Sequence, residues 1–234
     1  MPWTTHSSAT SGTVYDKAPI HRLRVLGVFG LLLALAAGCG PSERTTAAEP
    51  SGFLGDYSQL QPGRVDQAQL VYINPQADFS SYENVIVDPV VVWEGKSFDF
   101  SDVSPEELQS LARDLGTAMR EQLGFEFQVV EQPEPGTLRI RSAIVGAKRS
   151  SAGSGSAFEG SVGIELEVLD ANSSERLVAV ADSRGHEGEQ SGLSSAGTDA
   201  RAAFDDWAGR ARDRLSAFRR FDAARGGLDQ ALEP

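Results

Sequence analysis

From Phe53 onward the apolar positions of this chain follow two periods, and the sequence switches between them along its length. Alternation by two is clearest in TLRIRSAI, where Leu138, Ile140 and Ile144 are interleaved with Arg139 and Arg141. It recurs in SVGIELEVLD, where Val162, Ile164, Leu166 and Val168 are interleaved with Glu165 and Glu167. Strands of this kind bury one side and wet the other. If these two strands are neighbours, their exposed faces carry Arg–Glu cross-strand pairs, each worth little. The turn DANSSE and the apolar RLVAVAD complete a hairpin, and QLVYIN, NVIVDPVVVW and FEFQVVE add shorter strands. Pro89 cannot donate a ladder hydrogen bond, so it marks an edge, a bulge or a break.

The other period is 3.6. In SPEELQSLARDLGTAMREQLG, Leu108, Leu111, Ala112, Leu115, Ala118, Met119 and Leu123 fall on one helical stripe. Ser104 and Glu107 have capping-box spacing, Pro105 suits the first helical position, and Gly124 suits a left-handed stop. A second helix is predicted from Thr198, with Ala200, Ala203, Phe204, Trp207, Ala208, Ala211, Leu215 and Phe218 on its stripe. The order is β-β-α-β-β-β-β-α. Two one-faced helices and a sheet wet on one side predict a two-layer α+β sandwich, mostly antiparallel, with both helices on the apolar face.

Upstream lies the one strongly apolar run, Val25–Ala37. As a helix it reaches about 20 Å at ~1.5 Å per residue, short of a ~30 Å hydrocarbon layer. His21, Arg22 and Arg24 precede it, which is the layout of a secretory signal peptide. The run ends in Leu35-Ala36-Ala37-Gly38-Cys39, and small residues before a cysteine resemble the lipobox of bacterial lipoproteins. That resemblance implies lipid on Cys39 and cleavage before it. Leu usually stands three places before the Cys; here Ala36 does, with Leu35 one step earlier. Cys39 is the only cysteine, so no intramolecular disulfide forms. Met1–Ile20 is long for the leading segment of a signal peptide, as a misplaced start codon would make it. The expected divisions are a signal peptide over 1–38, a lipidated Cys and flexible tether over 39–52, one α+β domain over 53–220 and a flexible tail over 221–234.

Four blocks carry a wider resemblance: YINPQADFSSYENVIVDPVVVW, SPEELQSLARDLGTAM, EPGTLRIRSAI and ARAAFDDWAGRARDRL. They resemble a family of bacterial lipoproteins catalogued as domain of unknown function 3313. The resemblance implies the fold and an envelope location, and no activity. Gly40 after the modified Cys, where Asp resembles an inner-membrane retention signal, makes the outer membrane's periplasmic leaflet the expected address.

Charge narrows the partners. The chain carries a net −12, and loss of Lys17, Arg22, Arg24 and Asp16 with residues 1–38 makes it −14. Such a surface repels phosphate backbones, and no nucleic-acid-reading motif is present, so nucleic acid is discounted. Candidate chemistry is sparse. After cleavage one histidine remains, His186 in SRGHEGEQSG, and no Gly-x-Ser-x-Gly elbow accompanies it. A single His makes no zinc site, the carboxylates lack calcium-loop spacing, and AGSGSAFEG misses the spacing of a phosphate cradle. No cofactor is expected. Arg210, Arg212, Arg214, Arg219 and Arg220 cluster late in the second helix. They are read chiefly as complements to the helix terminus and partners of Asp206 and Asp213, and otherwise as contacts for an anionic headgroup or envelope polymer. The expected function is a lipid-anchored, non-catalytic domain that binds an envelope protein or polymer. The alternatives are a hydrolase using carboxylates or His186, and a subunit of an oligomeric envelope assembly.

Overall fold

The computed structural model describes residues 50–64, 66–95, 100, 102–149, 160–184 and 200–231. Its elements are β1 (Gln61–Pro62), β2 (Leu70–Ile73), β3 (Asn84–Val87), β4 (Val91–Val92), α1 (Pro105–Leu123), β5 (Gln128–Val129), β6 (Thr137–Arg149), β7 (Gly160–Asp170), β8 (Arg176–Arg184) and α2 (Ala200–Ala231). The sheet order is β1-β2-β8-β7-β6-β3-β5, with β4 also paired to β6. The long ladders β6–β7, β7–β8 and β2–β8 are antiparallel. The short β3, β4 and β5 add parallel pairs at one side. This is the expected α+β sandwich with one extra short strand, β1. Pro89 acts as a break: β3 and β4 flank it, and both pair with β6.

α1 begins as its sequence demands. Ser104 is extended (φ −70°, ψ 153°), its side chain accepts the Glu107 amide, and the Glu107 carboxylate accepts the Ser104 amide. The buried stripe from Leu108 to Leu123 packs against Val85, Leu138, Ile140 and Ile144 of the sheet. The end of the helix differs from expectation. Gly124 is right-handed, with φ −61°, and its amide still donates to Arg120 O at 3.0 Å. A further turn, in which the Phe127 amide donates to Leu123 O at 2.9 Å, delivers Phe127 into the core and leads directly into β5. A left-handed stop would turn the chain away too early.

Two boundaries also move. α2 continues to Ala231, so residues 221–231 are helix rather than a flexible tail. The reason is tertiary: the buried Asp222 carboxylate accepts the Phe79 amide at 2.9 Å, and Phe218 packs on Phe79 with ring centroids 5.2 Å apart. At the other end, Ser51 is buried and donates its amide to Glu165 Oε1 at 3.0 Å, so the folded body starts before the expected tether ends at 52.

That contact explains a larger departure. Arg141 stands directly opposite Glu167 and pairs with it, as expected of neighbouring Arg and Glu strands. Yet Glu165 and Glu167 are 1% and 3% exposed, not wet. The segment Ser51–Tyr57 lies across them as a strap. Tyr57 donates its hydroxyl to Glu165 Oε2 at 2.6 Å and accepts the amides of Gly52 and Leu54. Arg176 donates to the carbonyls of Leu54 and Asp56 and also pairs with Glu167. Gly52 takes φ +98°, a conformation glycine adopts without strain, and Phe53 then meets Trp93 edge-on at 5.8 Å. On this second face the two glutamates are covered, while Arg139 and Arg141 stay exposed.

Among the described residues no helix is long and apolar enough to cross a membrane.

Candidate functional site

The apolar face under α2 is not filled. A cavity of about 270 Å³ lies between α2 and strands β2, β7 and β8, bordered at one end by Arg64, Asp66, Gln67 and Ala68. Its walls are Val71 and Ile73 from β2, Ile164, Leu166 and Val168 from β7, Val178 and Val180 from β8, and Ala211, Leu215 and Phe218 from α2. Met119 is the α1 contribution. The strand residues follow from the period-two pattern, which aims every second side chain at the helices. The room exists because α2 offers Ala211 between Trp207 and Leu215, where a larger side chain would reach the sheet. The cavity opens to solvent at its mouth, so only its enclosed part is a void that costs stability. Water entering at the mouth lowers that cost.

Polar groups gather at one end. In register, Ile164 faces Asp182 and Val168 faces Val178, so the cavity runs about 13 Å along the strands at ~3.4 Å per residue. Asp182 continues the inward face of Val178 and Val180, and it is buried. Its Oδ2 accepts Trp207 Nε1–H at 2.7 Å and Arg184 Nε–H at 3.3 Å, and its Oδ1 accepts the Gln69 amide at 3.2 Å. Arg210 Nη2 stands 3.6 Å from the same carboxylate and 3.0 Å from Asp206. A buried carboxylate tolerates such a place only when its oxygens are satisfied in this way. One turn on, Arg214 pairs with Asp66, and that hydrogen bond holds the Asp66 carboxyl below its usual range. Arg210 Nη1 and Gln69 Oε1 are buried at this end without a hydrogen-bond partner.

The five arginines singled out in the sequence all lie beside carboxylates of this chain. Arg210 and Arg214 pair as above, Arg212 pairs with Asp213 at 2.8 Å, and Arg219 and Arg220 approach Glu126 at 3.2 and 3.9 Å. Arg212 also donates to Gln122 of α1, and Arg219 lies over the Phe127 ring at 4.7 Å. They stitch α2 to α1 and to the loop before β2, and only Arg210 and Arg214 of the five line the cavity. Since α2 runs to Ala231, they sit well inside it rather than at its terminus. Leu35, Ala36, Ala37, Gly38, Cys39 and His186 lie outside the described residues, as does most of AGSGSAFEG. Among the described residues no group of three or more His, Cys, Asp or Glu is placed to hold a metal ion. The sequence reading missed Asp182, whose only signal is an acid directly after the apolar run Leu177–Ala181. The cavity had no such signal.

Fold and site together define a two-layer α+β sandwich with an apolar cavity under its second helix. The chain belongs to the family of proteins of unknown function DUF3313, which it matches over residues 49–211. No curated protein matches it. Among solved structures it is similar to the PelC dodecamer from Paraburkholderia phytofirmans in space group P6, at 10% identity over 64% of this chain and 94% of that one, with a TM-score of 0.36. It is similar also to a DUF4136 family protein from Bacteroides thetaiotaomicron VPI-5482, at 11% identity over 64% and 95% of the two chains, with a TM-score of 0.37. A third is a minor lipoprotein from Acinetobacter baumannii, at 12% identity over 59% and 95%, with a TM-score of 0.32.

Proposed function

We propose that this chain is a bacterial envelope lipoprotein, anchored through Cys39 in the outer membrane and facing the periplasm, whose body is a non-catalytic binding domain. The cavity under α2 carries this reading. A native fold that keeps about 270 Å³ of apolar space gains stability from whatever fills it. Among the described residues that line the cavity there is no serine, threonine, cysteine, lysine or histidine, and both carboxylates, Asp66 and Asp182, are engaged by arginines. That inventory supports holding a ligand over transforming one. The anchor is supported by the basic flank, the short apolar run and the Leu35–Cys39 junction, and the outer-membrane address by Gly40.

The test is to purify the full chain from its host envelope, extract it with organic solvent and identify what is released. A stoichiometric apolar molecule is expected, and empty protein overturns the binding reading. In cells, labelled palmitate is expected to enter the wild-type chain and not Cys39→Ser, which should remain an uncleaved precursor. Equal labelling of both chains overturns the anchor. Sedimentation with inner-membrane markers overturns the address.

A further inference from the structure

We infer that the cavity under α2 takes a single alkyl chain with an anionic head, the chain lying along β7 and β8 and the head at the arginine end. The inference rests on the binding reading above and adds the class of ligand. Size comes first. An apolar cavity of roughly 150 Å³ takes benzene, and about 270 Å³ is nearly twice that. Shape comes second: the walls run about 13 Å along the strands at ~3.4 Å per residue. From Leu166 to Val168 and from Leu215 to Phe218 they present nothing that hydrogen-bonds through a side chain. A chain without branches or polar atoms fits such a slot, and a two-chain lipid exceeds it.

The head is assigned by charge. The charged groups that line the polar end are Arg64, Arg210 and Arg214 against Asp66 and Asp182, one cation in excess on a protein of net −12. The buried Arg210 Nη1 has no hydrogen-bond acceptor among the described residues. A carboxylate or phosphate placed there completes it with a charge-assisted hydrogen bond. A neutral head satisfies the hydrogen bond without balancing the charge.

The test uses the full chain in phosphatidylcholine vesicles, incubated with a diazirine-bearing palmitate, irradiated and mapped by peptide mass spectrometry. Adducts are expected on the segments around Val71–Ile73 and Ala211–Phe218. Palmitate and lysophosphatidate should compete and hexadecanol should not. Ala211→Trp, which fills the slot, should lower labelling at least tenfold. Arg64→Gln combined with Arg214→Gln leaves the slot intact and should lower it about fivefold, without affecting a diazirine-bearing hexadecanol. Adducts in the slot that hexadecanol displaces as well as palmitate would overturn the anionic head while leaving a binding cavity. Adducts only outside it, together with solvent extracts that are empty, would overturn both readings. Labelling that emerges only in Cys39→Ala would make the occupant the chain's own acyl group and end the inference.

Discussion

α1 and α2 pack on the same face of one sheet, but α1 is strongly amphipathic and α2 only weakly, and they close that face differently. α1 fills its half with Leu108, Leu111, Leu115, Met119 and Leu123, all buried. α2 fills part of its half with Phe204, Trp207 and Leu215, and leaves about 270 Å³ beside Ala211. The difference lies in side-chain volume at matched stripe positions. Leucines at successive turns of α1 interdigitate with Val85, Ile140 and Ile144, whereas α2 spends the equivalent turns on Ala203, Ala208 and Ala211 and turns Arg210 and Arg214 toward the rim. One helix stabilises the fold, and the other roofs a space.

The strongest break of this comparison is truncation on each side. Leu115→Ala removes a fully buried side chain from a packed interface and is expected to cost about 3–5 kcal/mol in urea unfolding. Leu215 borders a space open to water, and about 2–3 kcal/mol is expected for Leu215→Ala, because the transfer cost of the lost methyl groups remains while little dry void is added. Equal losses would mean that the α2 interface is as tight as that of α1. Trp207→Ala belongs with Leu115, since it also leaves Asp182 without its 2.7 Å donor.

The opposite face of the sheet sharpens the contrast, because there polar groups seal where apolar ones leave room. Tyr57→Phe removes the hydroxyl that links Gly52 and Leu54 to the buried Glu165 carboxylate. A hydrogen bond to a charged group is worth roughly 1.5–3 kcal/mol, and a loss in that range is expected. Amide exchange should accelerate at residues 52–54 and stay unchanged in α2. Uniform acceleration would show that the strap is not a separate latch.

Overfilling separates the helices by sign. Ala112→Leu pushes a larger side chain into the packed side and is expected to destabilise by about 1–3 kcal/mol. Ala211→Leu grows into the cavity and is expected to stabilise by up to about 1 kcal/mol, at ~0.8 kcal/mol per buried methylene less the entropy of fixing the side chain. Two losses of the same size would mean that the space is not accessible from Ala211.

These outcomes follow the line between what was legible in the sequence and what was not. Local chemistry was legible: the Ser104–Glu107 box, an interruption of some kind at Pro89 and both stripes are properties of neighbouring residues. Alternation in β7 also told correctly which face is polar. It did not tell that Glu165 and Glu167 are covered, because the cover comes from Ser51 and Tyr57, more than a hundred residues away. The cavity was illegible for the same reason. An alanine on a helical stripe reads as core whether the side chain opposite it is large or small, and only the register of α2 over β2, β7 and β8 decides. The continuation of α2 past Arg220 depended on a long-range partner too, the Phe79 amide.

The smallest expected effect lies at the β7–β8 turn, where polar groups again do the closing. Asp170 Oδ1 accepts the amides of Asn172 and Ser173 and the Ser173 hydroxyl, and Oδ2 accepts the Tyr82 hydroxyl at 2.9 Å. Burial raises the Asp170 pKa, but these hydrogen bonds together outweigh it and hold the carboxyl below its ordinary value. Burial, and then the bond to Asp170, push the Tyr82 phenol up, so its proton stays on the donor side at every ordinary pH. A carboxyl depressed in the folded state adds stability above its unfolded pKa of ~3.9 and loses it as pH falls through the folded value. Asp170→Asn keeps the Oδ1 acceptor and lets the amide donate to Tyr82, so at neutral pH it is expected to cost only about 0.5–1 kcal/mol. The gap between wild type and variant, followed by urea midpoints from pH 7 downward, should narrow below about pH 4 and close once the wild-type carboxyl is protonated. A gap that stays constant down to pH 2 would show that shape, and not charge, makes Asp170 useful at this turn.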